Sequence, residues 1–179
     1  MKEKIIPSLR IEIRPSKMIP DEVGLFAVRN ILKNEVIAPA SSYKESPYPW
    51  STYEKLDKLT KAKIDGFCSA TEKYFFAPPD FNYLQTNWFM NHCCEPNVGF
   101  NDKGDFVAIK NIKKNEELTW DYSYNETNPK FKMECLCGSK TCRKIITGND
   151  WKFLIEDKKK YPYISKEIRI LNDKLRMKK

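Results

Sequence analysis

The sequence predicts a mostly β domain with short helices, and three observations carry that expectation. Short alternating or β-branched runs recur through both halves of the chain, separated by turn signals. One helical insert interrupts them, and a helical pattern returns only after about residue 150. A hydrophobic fraction of 41% with 13% aromatics supports a packed core and is too apolar for a disordered chain. At 179 residues, the chain suits one domain around a single core.

Taken in order, residues 5–40 read as strands. Leu9, Ile11 and Ile13 alternate with Arg10 and Glu12, and residues 23–28 and 36–38 are β-like runs with a turn at Asn34 between them. Ser51 and Glu54 have capping-box spacing just after Pro47 and Pro49. Tyr53, Leu56, Leu59 and Ile64 then recur at near-helical spacing. A strand over residues 74–77 is closed by Pro78 and Pro79. Residues 98–100 and 106–109 form a hairpin through the turn from Asn101 to Gly104, and residues 117–122 form the next strand. From about Asp150 two helices are expected, broken near Pro162, with Ile164, Ile168 and Leu171 on one face. Neither an internal repeat nor a low-complexity linker is visible.

The net charge of +8 is unevenly placed: residues 152–179 hold ten Lys/Arg against four Asp/Glu. Such a tail suits an acidic partner such as nucleosomal DNA, or is simply a solvated helix. No stretch approaches the roughly 18–20 apolar residues of a membrane span, and the N-terminus lacks a signal-type apolar region. The expectation is a soluble, intracellular protein with no membrane partner.

Three of the six cysteines crowd into Cys135, Cys137 and Cys142, with Gly138 allowing a tight bend between them. Inside a cell such crowding argues for metal rather than disulfides. Structural zinc wants four ligands in a tetrahedron, so one must come from elsewhere. Cys68, Cys93, Cys94 and the only histidine, His92, are the candidates.

Two further segments are dense in polar chemistry. Asn91, His92, Pro96 and Asn97 form an NHxxxPN pattern, and Glu117, Leu118, Thr119, Asp121 and Tyr122 form ELTxDY about twenty residues later. Each alone is unremarkable, since a lone histidine or a strand aromatic is usually core. In order, followed by CxCGxxxCR at residues 135–143 and preceded by Gly24, Leu25, Phe26 and Ala27 with Ile31 and Glu35, they resemble the SET-domain methyltransferase family with its post-SET zinc motif. The resemblance covers roughly residues 9–146.

It implies a β-clip of small curved sheets with a pseudoknot, in which the two polar segments thread together. Residues 1–125 would be the SET domain, with its helical insert at about 41–72. Residues 126–148 would be the post-SET zinc segment and 149–179 a basic C-terminal helical extension. It further implies S-adenosylmethionine as methyl donor, bound by Glu22, Val23, Gly24, Asn91, His92 and Leu136, with Tyr74 as a further contact. One zinc ion would be held by Cys94, Cys135, Cys137 and Cys142. Tyr122 would be the catalytic residue, and Trp120 and Tyr122 would line the substrate channel. The substrate would be a lysine in a protein, a histone tail or a non-histone target. The protein would sit at chromatin in the nucleus of a eukaryote, or otherwise in the cytoplasm.

Three positions depart from the family pattern. Glu22 stands where a glycine is usual, Trp88 where arginine is frequent, and Trp120 where phenylalanine or tyrosine governs the number of methyls added. A glutamate at a left-handed backbone position would be strained. Two rivals remain at this level: a SET fold that binds a lysine-bearing peptide without methylating it, and a nucleic-acid-binding zinc module with a basic tail.

Overall fold

Strand β1 (Ile11–Pro15) pairs antiparallel with β2 (Val23–Ala27), with Ile13 opposite Leu25. These elements come from a computed structural model that describes residues 9–42, 44–83, 85–157 and 159–177. Residues 1–8, read above for a leader, and Lys158, Lys178 and Lys179 of the basic tail lie outside the described residues. Leu25, Phe26 and Ala27 are all buried because β2 is central: β1 flanks it on one side and β9 (Glu117–Trp120) on the other. The fourth strand of this sheet is β6 (Asn91–His92), which lies parallel to β9 with Asn91 opposite Thr119 and His92 opposite Trp120.

A second sheet has the order β3 (Val36–Ala38), β8 (Phe106–Ala108), β7 (Val98–Phe100). The expected hairpin turn is present: Gly104 N–H donates to the Asn101 carbonyl at 3.0 Å, and Gly104 holds φ 81°. Asn34 also turns in the left-handed region, at φ 70°. The two sheets share one core, formed around Leu25, Ile31, Met90, Val98, Leu118 and Tyr124.

The insert differs from its sequence reading. The Ser51/Glu54 capping box does not form: α1 (Trp50–Tyr53) is a single turn without a side-chain cap, and Glu54 is its C-cap. The real helix, α2 (Lys58–Phe67), begins at Asp57, whose carboxylate accepts from the N–H groups of Leu59 and Thr60. Leu59 is 80% exposed, and Ile64 alone is buried on that helix. What packs the insert is the antiparallel pairing of β4 (Ser46–Pro49) with β5 (Tyr74–Ala77) across the two helices, which the prolines had concealed. Phe75 anchors a small separate core there, with Tyr48 stacked on it at 5.6 Å.

Two other boundaries also shift. Residues 117–122 are not one strand: β9 ends at Trp120, and residues 122–124 form a 3-10 turn capped by the Asp121 carboxylate. The cysteine segment is flanked by its own antiparallel pair, β10 (Lys132–Glu134) with β11 (Ile145–Thr147).

At the C-terminus lie α3 (Trp151–Leu154), a 3-10 turn at residues 161–163, and α4 (Lys166–Arg176), capped by Ser165 Oγ accepting from Ile168 N–H. The tail is more than a solvated helix. Ile164 and Ile168 are fully buried in the main core, and Ser165 N–H donates to the Tyr124 carbonyl at 2.8 Å. None of the helices among the described residues is long and apolar enough to cross a membrane. Ile168→Ala should therefore destabilise the protein by about 2–5 kcal/mol in urea unfolding. Leu175→Ala, at an exposed position of the same helix, should change stability by less than about 0.5 kcal/mol.

Candidate active site

The parallel contact of β6 with β9 brings the two polar segments together. Asn97 locks it. Its Oδ1 accepts from Thr119 N–H at 2.9 Å, and its Nδ2 donates to the Glu117 carbonyl at 2.8 Å and to Glu116 Oε1 at 3.0 Å. Just upstream, Asn91 Nδ2 donates to the Val23 carbonyl and to Glu117 Oε1, both at 3.0 Å. The buried Glu117 carboxylate also accepts from Ser16 Oγ and Lys17 N–H, each at 2.9 Å. Gly24 is required beneath this group, since a Cβ there would stand 2.3 Å from Glu117 Oε1. Glu22 is not among the left-handed residues. That conformation falls on its neighbour Asp21, at φ 62°, so the glutamate is accommodated without backbone strain.

His92 is buried, and burial pushes its imidazole down to about 4 although Asp121 pulls the other way. The ring is therefore neutral near pH 7. Its Nδ1 accepts from Tyr122 N–H at 3.1 Å, which leaves the proton on Nε2, 3.5 Å from Cys94 Sγ. Asp121 is fully buried and paired with Arg143 at 2.6 Å, and Arg143 also reaches Asp150 at 3.3 Å. These pairs tie the cysteine segment to the turn that carries Tyr122 at the end of β9.

The Sγ atoms of Cys94, Cys135, Cys137 and Cys142 lie within 4.8 Å of one another, and those of Cys94 and Cys135 are 3.8 Å apart. A tetrahedron with metal–sulfur bonds of ~2.3 Å has edges of about 3.8 Å, so the donor set fits a structural zinc ion. Cys93 and Cys68 stand outside that set, as does His92, whose ring faces Cys94 from within the core.

Three adjoining cavities lie beside these segments, and the first and the third also meet directly at Glu72 and Pro129. A groove of about 900 Å³ runs between the insert and α4 and includes Glu45, Tyr74, Asp102, Trp151 and Leu171. A narrow channel of about 120 Å³ follows, sharing Glu45, Ser69, Phe100 and Asn125 with the groove. A cleft of about 1220 Å³ lies beyond, sharing Asp65, Phe67, Trp88, Tyr122, Glu126 and Phe131 with the channel.

Of the residues expected at a cofactor, Glu22, Val23, Asn91, His92 and Leu136 line the cleft. Gly24 packs beneath it, and Tyr74 does not join them, lining the groove instead. Leu136 is 52% exposed, a large apolar side chain left uncovered at the cleft wall.

The channel walls are aromatic. Trp120 meets Phe100 and Phe106 edge-on at 5.5 and 5.4 Å and Tyr122 at 5.3 Å, while Trp88 packs on Phe67 at 5.6 Å. Glu45, Asp65 and Glu126 supply its charge, and no Lys or Arg lines it among the described residues. Burial, with the Glu22 charge adding to it, pushes the Tyr122 phenol up to about 12, so its hydroxyl stays protonated; it donates to the Met90 carbonyl at 3.4 Å.

Sequence reading had missed Glu45, Phe67, Glu126 and Phe131 as wall residues. They come from the insert and the stretch after β9, and neither carries a periodic or spaced signal.

The SET domain family model matches residues 22–123 of the chain. The chain belongs to the SET domain family. Human Histone-lysine N-methyltransferase 2B is 29% identical to it over 136 residues, covering 69% of this chain and 5% of the relative. An H3 lysine-4 specific histone-lysine N-methyltransferase of Candida albicans is 40% identical over 63 residues, covering 31% of this chain and 6% of the relative. The chain thus spans only a small fraction of these curated relatives. Among solved structures, the methyltransferase domain of human Histone-lysine N-methyltransferase SETMAR aligns with a TM-score of 0.52 at 22% identity, covering 76% of this chain and 58% of that one. That likeness supports the SET fold.

One titration follows from the channel wall. Glu126 is buried, and burial pushes its carboxyl up to about 7, although the N–H groups of Asn128, Ala70 and Thr127 oppose the shift. A carboxyl raised in the folded state stabilises it below the unfolded pKa of about 4.5, and that contribution is lost as pH rises through 7. The stability of the wild type should fall across this window by about 3 kcal/mol relative to Glu126→Gln, read by urea unfolding at stepped pH.

Proposed function

We propose that this chain transfers methyl groups from S-adenosylmethionine to the side-chain amine of a lysine in a protein, a histone being the substrate class favoured. The observation that carries the reading is the channel: narrow, aromatic, lined by carboxylates with no Lys or Arg among the described residues, and ending on Tyr122 at the wall of a larger cleft. Such a channel admits an ammonium-tipped, unbranched side chain and little else.

The cofactor would lie in the cleft, held by Glu22, Val23, Asn91, His92 and Leu136, with Gly24 setting the turn beneath them. When bound, it supplies an activated methyl on a positively charged sulfur. The chain's own residues do the rest. The aromatic walls strip water from the lysine amine, and the positive charge bound in the cleft disfavours a second beside it. Together they lower its pKa from ~10.4 against the opposite pull of Glu45, Asp65 and Glu126 and expose a neutral lone pair, the proton leaving to solvent. Alignment of that amine at the channel's end supplies most of the rate. The Tyr122 hydroxyl, protonated at every physiological pH, orients the reacting groups and excludes water; it is not a base. Trp120 has no hydroxyl to hold a water beside the amine, which leaves room for a second or third methyl.

Cys94, Cys135, Cys137 and Cys142 would hold one zinc ion, fastening the segment of Leu136 against the cleft. In this reading residues 1–125 are the SET domain, 126–148 its zinc segment and 149–179 an extension. Exposed lysines of that extension away from the groove, Lys159 among them, would face nucleosomal DNA at chromatin in the nucleus.

Purified chain with methyl-labelled S-adenosylmethionine and core histones, nucleosomes or cell lysate tests the proposal. Label should enter protein, fall by about 10²-fold or more in Tyr122→Phe, and yield products beyond one methyl by mass. Stronger labelling of nucleosomes than of free histones would support the DNA contact. No label together with no cofactor binding sinks the reading. Metal analysis should find one zinc per chain, lost in Cys142→Ser or on chelation, with a lowered melting temperature. Metal-free protein of unchanged stability would remove the zinc assignment.

A further inference from the structure

Glu45 precedes β4 and occupies the point where the groove narrows into the channel, lining both but not the cleft. Its Oε1 accepts from Trp88 Nε1 at 3.4 Å, and no Lys or Arg pairs with it among the described residues. The other acids along the groove are differently placed. Asp102 is paired with Arg169 at 2.6 Å, while Glu72 and Glu167 are exposed beside Lys73 and Lys166. Glu45 is half-buried, and the desolvation that raises its pKa marks a carboxylate in want of a counter-charge.

The target amine itself is not that counter-charge. It must reach Tyr122, which lines the channel and the cleft but not the groove. When the amine stands there, the substrate backbone lies in the groove, and the side chain beside Glu45 belongs to a neighbour of the target lysine.

We infer that Glu45 forms a subsite for a cationic side chain flanking the target lysine, best filled by arginine. The inference rests on the methyltransferase reading above. The guanidinium fork matches a carboxylate with two parallel hydrogen bonds, which the point charge of a lysine ammonium does not. The substrate would then be selected by charge next to the lysine as well as by the lysine.

Synthetic lysine-centred peptides of otherwise neutral sequence, with Arg, Ala or Glu at each neighbouring position in turn, test this against wild type, Glu45→Gln and Glu45→Arg. Two readouts are needed: kcat and KM for methyl transfer, and peptide affinity by fluorescence anisotropy with S-adenosylhomocysteine present. Wild type should prefer Arg over Ala about 10-fold at one position, through KM rather than kcat. Glu45→Gln should lose that preference, and Glu45→Arg should reverse it towards Glu, a swap that a merely structural glutamate would not produce. Identical flank preferences in all three proteins would overturn the subsite while leaving methyl transfer intact. Charge-dependent binding without transfer to any peptide or protein would keep the subsite and overturn the methyltransferase reading.

Discussion

The rest of the site depends on the short parallel contact between β6 and β9. Two residue pairs, Asn91 with Thr119 and His92 with Trp120, would make a weak sheet on their own. Asn97 makes the contact specific. It satisfies a buried N–H and a buried carbonyl of β9 with one amide, where either left unpaired would cost about 1–3 kcal/mol. Because the contact is parallel, the chain must cross from one sheet to the other and return through β7 and β8 before it can form. Tyr122, Trp120, His92 and Asn91 meet only as a result of that crossing.

A second constraint couples the cysteine cluster to the same place. His92 stands between Tyr122 N–H and Cys94 Sγ, and Arg143, one residue beyond Cys142, closes on the buried Asp121. Breaking a buried pair of this kind costs about 3–5 kcal/mol. The cysteine segment is therefore joined to the turn of Tyr122 through two side chains, and through Leu136 it reaches the cleft. Lys160 adds a further tie from the C-terminal extension, its ammonium donating to the Cys94 carbonyl at 3.2 Å.

Much of this was legible residue by residue. The strands at residues 36–38 and 74–77 and the Asn101–Gly104 turn follow from alternation and turn chemistry, whereas Ile164, expected on a helical face with Ile168, is buried from extended backbone ahead of α4. The four cysteines follow from crowding and resemblance together. The insert was misread because Ser51 and Glu54 have capping spacing without a helix to cap, and because Pro47 and Pro49 hid an edge strand whose ladder needs only part of its N–H groups. The end of β9 was misread because Asp121 draws Ser123 N–H into a turn, a local bond that competes with strand pairing.

The sequence by itself determined the strand-rich class, the thiolate donors and the identities of the polar residues at the centre of the site, since each of these is a property of spacing or of side-chain chemistry. The tertiary structure alone decided that Glu45, Phe67, Glu126 and Phe131 wall one channel and that Tyr74 lines the groove rather than the cleft. It also decided that the basic tail buries two isoleucines in the core. The physical reason is separation along the chain. Cavity walls are assembled from residues tens of positions apart, and no local periodicity records which of their faces the closing of the sheets will turn inward.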